Sequence, residues 1–557
     1  MQISLNNAKI IFSTGYLLIT TMAILLIIAS LGFFAGTGIA GWQFPVAFIL
    51  AGAIYFYTGQ NDYKHTAIFL KSFLTCIVII TLSVIIALNF YDVSYDGQSY
   101  HMEGIYQLKN GWNPFRSALP KSVNMAIYIN HYSKAVELPQ SILYSLTNRI
   151  EAGKASTLIL FAAGFCLTLS FLLNLHKLST IKCVLLSLLA MLNPIIVNQL
   201  ISTYVDGQLA ILLLCFFVVI LMVIKNADYV NLVLLGAIVI ITANVKFTGL
   251  VYMVFFITAF LAWLLFVRQT NLFKKTLYTA MLSGFIAVFL VGYNPYVTNT
   301  IKHSHPFYPL MGKNQVDIMD HNMPEGFEKE SAARKFFTSL FARTDNVMRG
   351  NGKKIELKIP FAINKTDIIN AYSIDTRIAG LGPLFSGLIL LSIISFITFL
   401  LTAGSSSPAV KNSLYVLGII LISICMVPES WWVRYVPQLW YVPLIMLLTI
   451  ELYAVRNLRE LKVLLYLVFI INSCFSLLTF RFNLMMTHMV NAQLEKLKTS
   501  HQTIIVQWGS AKANRIRFEE NKIPYVERNL DDIPNTENII CSDSKFIIPD
   551  NSSTTHQ

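Results

Sequence analysis

The sequence predicts an all-α, polytopic membrane protein with a small α/β domain at its C-terminal end. Three observations lead there. Hydrophobic residues make up 55% of the 557, and charged residues 13%, about half the ~25% of an ordinary globular chain. Mean hydropathy is +0.60. Apolar runs long enough for a bilayer, roughly 20 residues each, recur as far as position 480, after which the composition turns polar.

Taken in order, the candidate spanning segments are 14–34, 43–58, 68–90, 155–175, 183–202, 207–224, 231–246, 248–267, 276–294, 379–402, 412–428, 434–453 and 461–480, which makes 13. The first is longer than a signal-peptide core, so it reads as a retained anchor, and 14–58 as a helix pair added before an eleven-helix core. Two long polar segments interrupt the series, 91–154 and 295–378. In the first, residues 99–109 and 135–150 have the mixed faces of helices lying along a membrane interface. The second, with HSHPFYPL and a charged run, reads as irregular. Residues 1–480 therefore form the membrane domain. The tail 481–557 reads as a polar helical piece (485–500), a small α/β unit and a disordered NSSTTHQ.

Basic residues set the orientation. With the N-terminus in the cytoplasm, the inside connections hold Lys64, Lys177, Lys182, Lys225, Arg268, Lys274, Lys275, Lys411, Arg456, Arg459 and Lys462. This placement accounts for the formal charge of +13 without invoking nucleic acid. It puts both long loops and the tail outside, and gathers Asp96, Asp206, Lys246, Glu429 and Arg434 at the outer ends of helices. Seven scattered cysteines without CxxC spacing argue against a disulfide framework or a zinc site.

The candidate chemistry starts in YDVSYDGQSYHMEGIYQLKNGWNPF, 91–115. A carboxylate such as Asp96 at the membrane surface serves as general base to a hydroxyl, or holds a divalent cation against a phosphate. The competing reading makes it the N-cap of the helix starting near Gln98; Asp206 has the same alternative before 207–224. Asp92 reads as solvated surface. Arg434 is either an anion-binding fork or a snorkelling interfacial residue. His303, His305 and His321 are a weak metal-site candidate.

DGQSYH (96–101) resembles the Asp-x-x-x-Tyr-His signature of the first outer loop in GT-C glycosyltransferases, in the branch of protein mannosyltransferases, aminoarabinose transferases and Rgt-like lipopolysaccharide transferases. GWNPF, TYVDGQLA (203–210), NVKFTGLVY (244–252), HPFYPL (305–310) and VRYVPQLWYVPL (433–444) are similar, in the same order, to further segments of that family. The resemblance implies the GT-C fold and transfer of a sugar, with inversion, from a polyprenyl-phosphate carrier to a cell-envelope glycan, lipid or protein. The location it implies is the extracytoplasmic face of a bacterial inner membrane. It implies Asp96 as the catalytic base and Arg434 as the carrier-phosphate ligand, with Lys246, Tyr100, His101 and Tyr435 around donor sugar and phosphate. Several relatives carry two adjacent acids where this chain has Asp96-Gly97-Gln98, so a divalent cation (Mg or Mn), if bound, is expected on Asp96 and Asp206. Two alternatives remain: an O-antigen ligase or polymerase-type enzyme, and a transporter or flippase of a lipid-linked glycan.

Overall fold

The computed structural model describes residues 5–59, 63–403, 408–453 and 458–549. Arg456 and the 550–557 end of the tail lie outside the described residues. Among those described, eight helices are long and apolar enough to cross a membrane, and five shorter apolar helices pack with them. The first, Leu5–Ala35, is no peripheral addition: it lies against Ala155–Leu173, where a Cβ at Gly15 would stand 2.8 Å from Leu167. Small residues permit such close helix contact.

Proline chemistry redraws two segments. The run 183–202 is not one helix. It stops at Met191 and restarts at Pro194, where Asn193 Oδ1 accepts from the Ile195 N–H. Proline is tolerated at a first helical turn but lacks the donor that a continuing helix needs. Likewise 434–453 opens as two tight turns, Val433–Tyr435 and Pro437–Trp440, before the helix Tyr441–Leu452. These irregular turns carry Arg434 out of any regular helix.

The last spanning segment does not end at 480. It runs unbroken through Arg459–Thr499, 41 residues, and enters the tail domain. There Val490, Leu494 and Leu497 join Tyr91 of the first loop in a core with Ile504, Val506, Trp508, Phe518 and Phe546. The sheet has the order β2-β1-β4-β3, with β1 Ile504–Gln507, β2 Tyr525–Glu527, β3 Glu537–Asn538 and β4 Lys545–Ile547. β1 and β2 are parallel, bridged by the helix Asn514–Glu520, and the other pairs are antiparallel.

That bridging helix lies on the first loop. Helices occur there near the expected places, as Gly97–Lys109 (opening on a wide π-helical turn) and Glu137–Thr147, and both are largely buried. Met102, Ile105, Tyr144 and Ile150 pack against Ala513 and Ile516. Arg515 grips Glu103 with one nitrogen at 2.7 and 2.9 Å. Arg517, 3% exposed, donates to Glu151 at 2.7 Å and to the Asp92 carbonyl at 2.6 Å. Breaking a buried ion pair so that one member is left unpaired costs about 3–5 kcal/mol; Glu151 keeps its pair with the buried Lys154, so the loss of Arg517 costs less than that. Arg517→Met is therefore expected to lower the thermal unfolding temperature of the detergent-solubilised protein, with Arg517→Lys intermediate. An unchanged unfolding temperature in Arg517→Met would show that the clamp carries no stability.

The late loop is better ordered than its composition indicates. Buried Asp367 gathers the Thr344 N–H at 2.7 Å, the Lys358 ammonium at 2.9 Å and the Asn364 N–H at 3.0 Å. All seven cysteines are free.

Candidate functional site

Asp96 stands at the mouth of the first loop, held by a local device built from its neighbours. Asp92 is not solvated surface: it is 1% exposed, and its Oδ2 accepts from the Thr203 N–H at 2.8 Å and the Thr203 hydroxyl at 2.6 Å. Its Oδ1 accepts from the Ser94 N–H at 2.9 Å. Gly97 sits over this knot, where a Cβ would come within 2.4 Å of Asp92 Oδ2 and Ser94 Oγ. Only glycine fits. The turn thus packs down on Asp92 and ties the Asp96 segment to the strand of chain leading to Asp206.

Neither Asp96 nor Asp206 caps a helix with its side chain. Instead both face Arg434. The guanidinium Nη1 lies 3.6 Å from Asp96 Oδ2, Nε lies 3.8 Å from Asp206 Oδ2, and Nη1 lies 3.0 Å from Asp375 Oδ1. Lys246 Nζ donates to Asp206 Oδ1 at 2.8 Å and sits 3.9 Å over the Tyr435 ring. Arg434 itself lies 4.1 Å over Trp432, whose ring also meets Arg377 at 4.9 Å, and Arg377 pairs with Asp375 at 3.3 Å. Three acids and two further bases, Lys246 and Arg377, thus meet around one arginine. Its side chain is only 12% exposed, so it does not snorkel.

The cluster is charge-matched but not fully hydrogen-bonded. Arg434 Nε and Nη1 and Asp375 Oδ1 are buried with no aligned hydrogen-bond partner. Buried donors of this kind are costly unless a ligand completes them. Burial opposes the charge on Arg434, but Asp375, Asp206 and Asp96 outweigh it and hold the guanidinium firmly protonated. Burial raises the Asp375 carboxyl above its ordinary range, against the pull of Arg434 and Arg377, and the neighbouring Asp96 and Asp206 push it the same way.

The other expected residues divide. Tyr435 belongs to the cluster. Tyr100 lies beside it, in an aromatic group with His101 at 4.2 Å, Tyr128 at 6.0 Å and Tyr132 at 6.4 Å between centroids. His101 stands behind, 3% exposed, with Nδ1 on Glu137 at 3.1 Å and Lys134 3.6 Å from that same carboxylate. Glu429 is elsewhere, paired with Lys335 at 3.5 Å. The histidines of the late loop do not gather: His303 stacks on Tyr308 at 3.8 Å, His305 accepts from the Phe307 N–H, and His321 is near Asp320.

A divalent cation on Asp96 and Asp206 does not fit this arrangement. Asp206 has one oxygen on Lys246 and the other facing Gln199 and Arg434, and the guanidinium occupies the space towards Asp96. A metal would have to displace permanent cations.

Asp375, Arg377, Trp432 and Tyr204 were not among the sequence candidates. Asp375-Thr-Arg377 offered one available signal, an acid and a base just before the apolar run from 379. No family model matches the chain, and no curated protein matches it significantly.

Proposed function

We propose that the protein is a GT-C glycosyltransferase that moves a sugar from a polyprenyl-phosphate carrier to an envelope acceptor. The observation that carries this reading is Arg434, buried where Asp96, Asp206 and Asp375 meet, with Nε and Nη1 in ion-pair contact but without an aligned hydrogen bond. A guanidinium held by charge rather than by aligned hydrogen bonds can exchange a carboxylate contact for a phosphate oxygen, and a carboxylate at its side is a base for an incoming hydroxyl. In this reading the eight long and five short apolar helices make up 13 spans. The N-terminus is cytoplasmic, and the cluster opens on the extracytoplasmic face of the inner membrane. Asp206 and Lys225 lie at the two ends of one 20-residue helix, the separation that this orientation requires of the acid cluster and a basic connection.

Asp96 takes the proton of the acceptor hydroxyl as its oxygen attacks the anomeric carbon from the face opposite the phosphate. The bond from that carbon to the phosphate oxygen breaks, its electron pair leaves with the carrier phosphate, and the configuration inverts. Arg434, Lys246 and Arg377 neutralise the charge that develops, the kind of preorganised electrostatics that supplies much of an enzyme's rate.

Arg377 comes from the late loop, which favours one second reading, the O-antigen ligase type that acts on a diphosphate-linked glycan. The deciding experiment supplies membranes with radiolabelled polyprenyl-monophosphate sugar or polyprenyl-diphosphate oligosaccharide, with wild type, Asp96→Asn and Arg434→Gln. Transfer from the monophosphate alone, lost in both variants at normal protein levels, is expected. Transfer only from the diphosphate would establish the ligase reading, and no transfer from either would overturn both. Because side-chain cations already fill the metal position, EDTA is expected to leave the rate unchanged; loss restored by Mg or Mn would contradict that assignment.

A further inference from the structure

One stretch of the late loop is folded inside out. In Leu357-Lys358-Ile359-Pro360-Phe361 the lysine is the hidden residue. Its side chain is 1% exposed, and Nζ donates to Asp367 at 2.9 Å and to the Pro383 carbonyl at 2.8 Å. The apolar neighbours face out, with Leu357 67%, Ile359 80% and Phe361 47% exposed. Water selects the opposite arrangement, since lysine is seldom buried and large apolar side chains usually are. Backbone bonds fix the stretch in this sense. The Lys358 N–H donates to the Phe341 carbonyl at 2.9 Å, and the Arg343 N–H to the Glu356 carbonyl at 2.8 Å.

The neighbouring helix tells which solvent the apolar side meets. The Phe361 ring fills the space that Gly387 leaves by lacking a side chain, in the first turn of the helix Phe385–Ala403. Seven residues make about two turns, so Gly387 shares a face with Ile394. That residue belongs to an exposed apolar stripe with Leu390, Ile397 and Leu401. On a helix long and apolar enough to cross a bilayer, an uncovered apolar stripe is the side that meets lipid. Phe361 continues this stripe beyond its first member. The helix has 19 residues, about 28 Å at 1.5 Å per residue, against the ~30 Å of a hydrocarbon core. Its whole length is needed to cross, so Phe361, beside the first turn, stands at the edge of the hydrocarbon. Lys354 and Lys365, both exposed, bracket the stretch, as basic residues do where an apolar surface enters the headgroup layer.

We propose that Leu357, Ile359 and Phe361 insert among phospholipid acyl chains, as a lipid anchor within the late loop, with Lys354 and Lys365 on the headgroup phosphates. The anchor does not depend on the sugar-transfer reading. It is tied to the charged cluster by one short helix, Lys365–Ala371, which carries Asp367, the partner of Lys358. The last carbonyl of that helix accepts from Asn198 Nδ2 at 3.0 Å, and Asp375 and Arg377 follow it in the chain. The bilayer surface thereby sets the height at which the late loop meets Arg434.

The test reconstitutes the full-length wild type in nanodiscs containing a phospholipid with a diazirine on its acyl chain, irradiates them, and maps the labelled residues by mass spectrometry after trypsin digestion. Residues 359–365 are expected to label as the stripe around Ile394 does, and several-fold more than Val526 and Ile533, apolar residues exposed on the tail domain. A double variant, Leu357→Asp with Ile359→Asp, is expected to lose labelling at 359–365 and to keep it at Ile394, which also reports an intact helix bundle. Wild-type residues 359–365 labelled no more than Val526, or labelled instead by a water-soluble diazirine, would overturn the inference. Protection from both reagents would mark a protein contact on this face and overturn it equally.

Discussion

Arg434→Gln is expected to reduce sugar transfer by on the order of 10²–10³, the loss seen when one preorganised donor to a developing anion is removed. The reason is local. Glutamine keeps a planar amide over Trp432 but gives up the charge that faces Asp96, Asp206 and Asp375 at 3.6, 3.8 and 3.0 Å. Lysine does not substitute, because a compact ammonium neither stacks on the Trp432 ring nor forks between oxygens. The same change has a second consequence. Asp206 is 1% exposed, and with Arg434 gone only Lys246 remains to balance it, so stability falls by an amount on the order of 3–5 kcal/mol, as for other broken buried pairs. Thermal unfolding beside the transfer assay separates the two effects. Wild-type transfer in a folded Arg434→Gln protein would mean that the phosphate is held elsewhere.

Asp96→Asn is expected to lower the transfer rate about 10²–10⁴-fold, the worth of a general base, while leaving the protein folded and its donor bound. The side chain is 20% exposed, against 2% for that of Asp206, and Arg434 is its one ion-pair partner among the described residues, so the fold depends on it less than on the buried Asp92 or Asp206. Photolabelling with a polyprenyl-phosphate analogue measures donor occupancy independently of turnover. Unchanged labelling with lost transfer fits a base; lost labelling would make Asp96 a binding group, and full transfer would dismiss it.

The sequence was most legible where one strong physical force acts alone. Long apolar runs had few alternatives to long apolar helices, and the charge bias at their ends predicted that Asp96, Asp206, Lys246 and Arg434 would lie together, as they do around Arg434. It was least legible where the deciding partner is distant. Asp92 looked solvated because nothing nearby explains it; its partner Thr203 lies 111 residues on, as His101's partner Glu137 lies 36 on. Asp375 sits in a loop without periodicity, so no pattern marked it as facing the arginine. The tail boundary was misplaced for the opposite reason. The shift to polar residues after Arg481 marks where the helix leaves its apolar surroundings, and the helix itself continues.

That uninterrupted helix, Arg459–Thr499, is about 60 Å long at 1.5 Å per residue, roughly twice the ~30 Å thickness of a bilayer's hydrocarbon core. Half of it therefore serves as a mast, fixing both the height and the azimuth at which the small sheet is held. Since each residue turns a helix by about 100°, lengthening the mast by one position swings Arg515 and Arg517 away from Glu103 and Glu151, whereas a full turn merely raises them. The position of the small sheet on the first loop is thus set by the phase of the last helix as well as by its length.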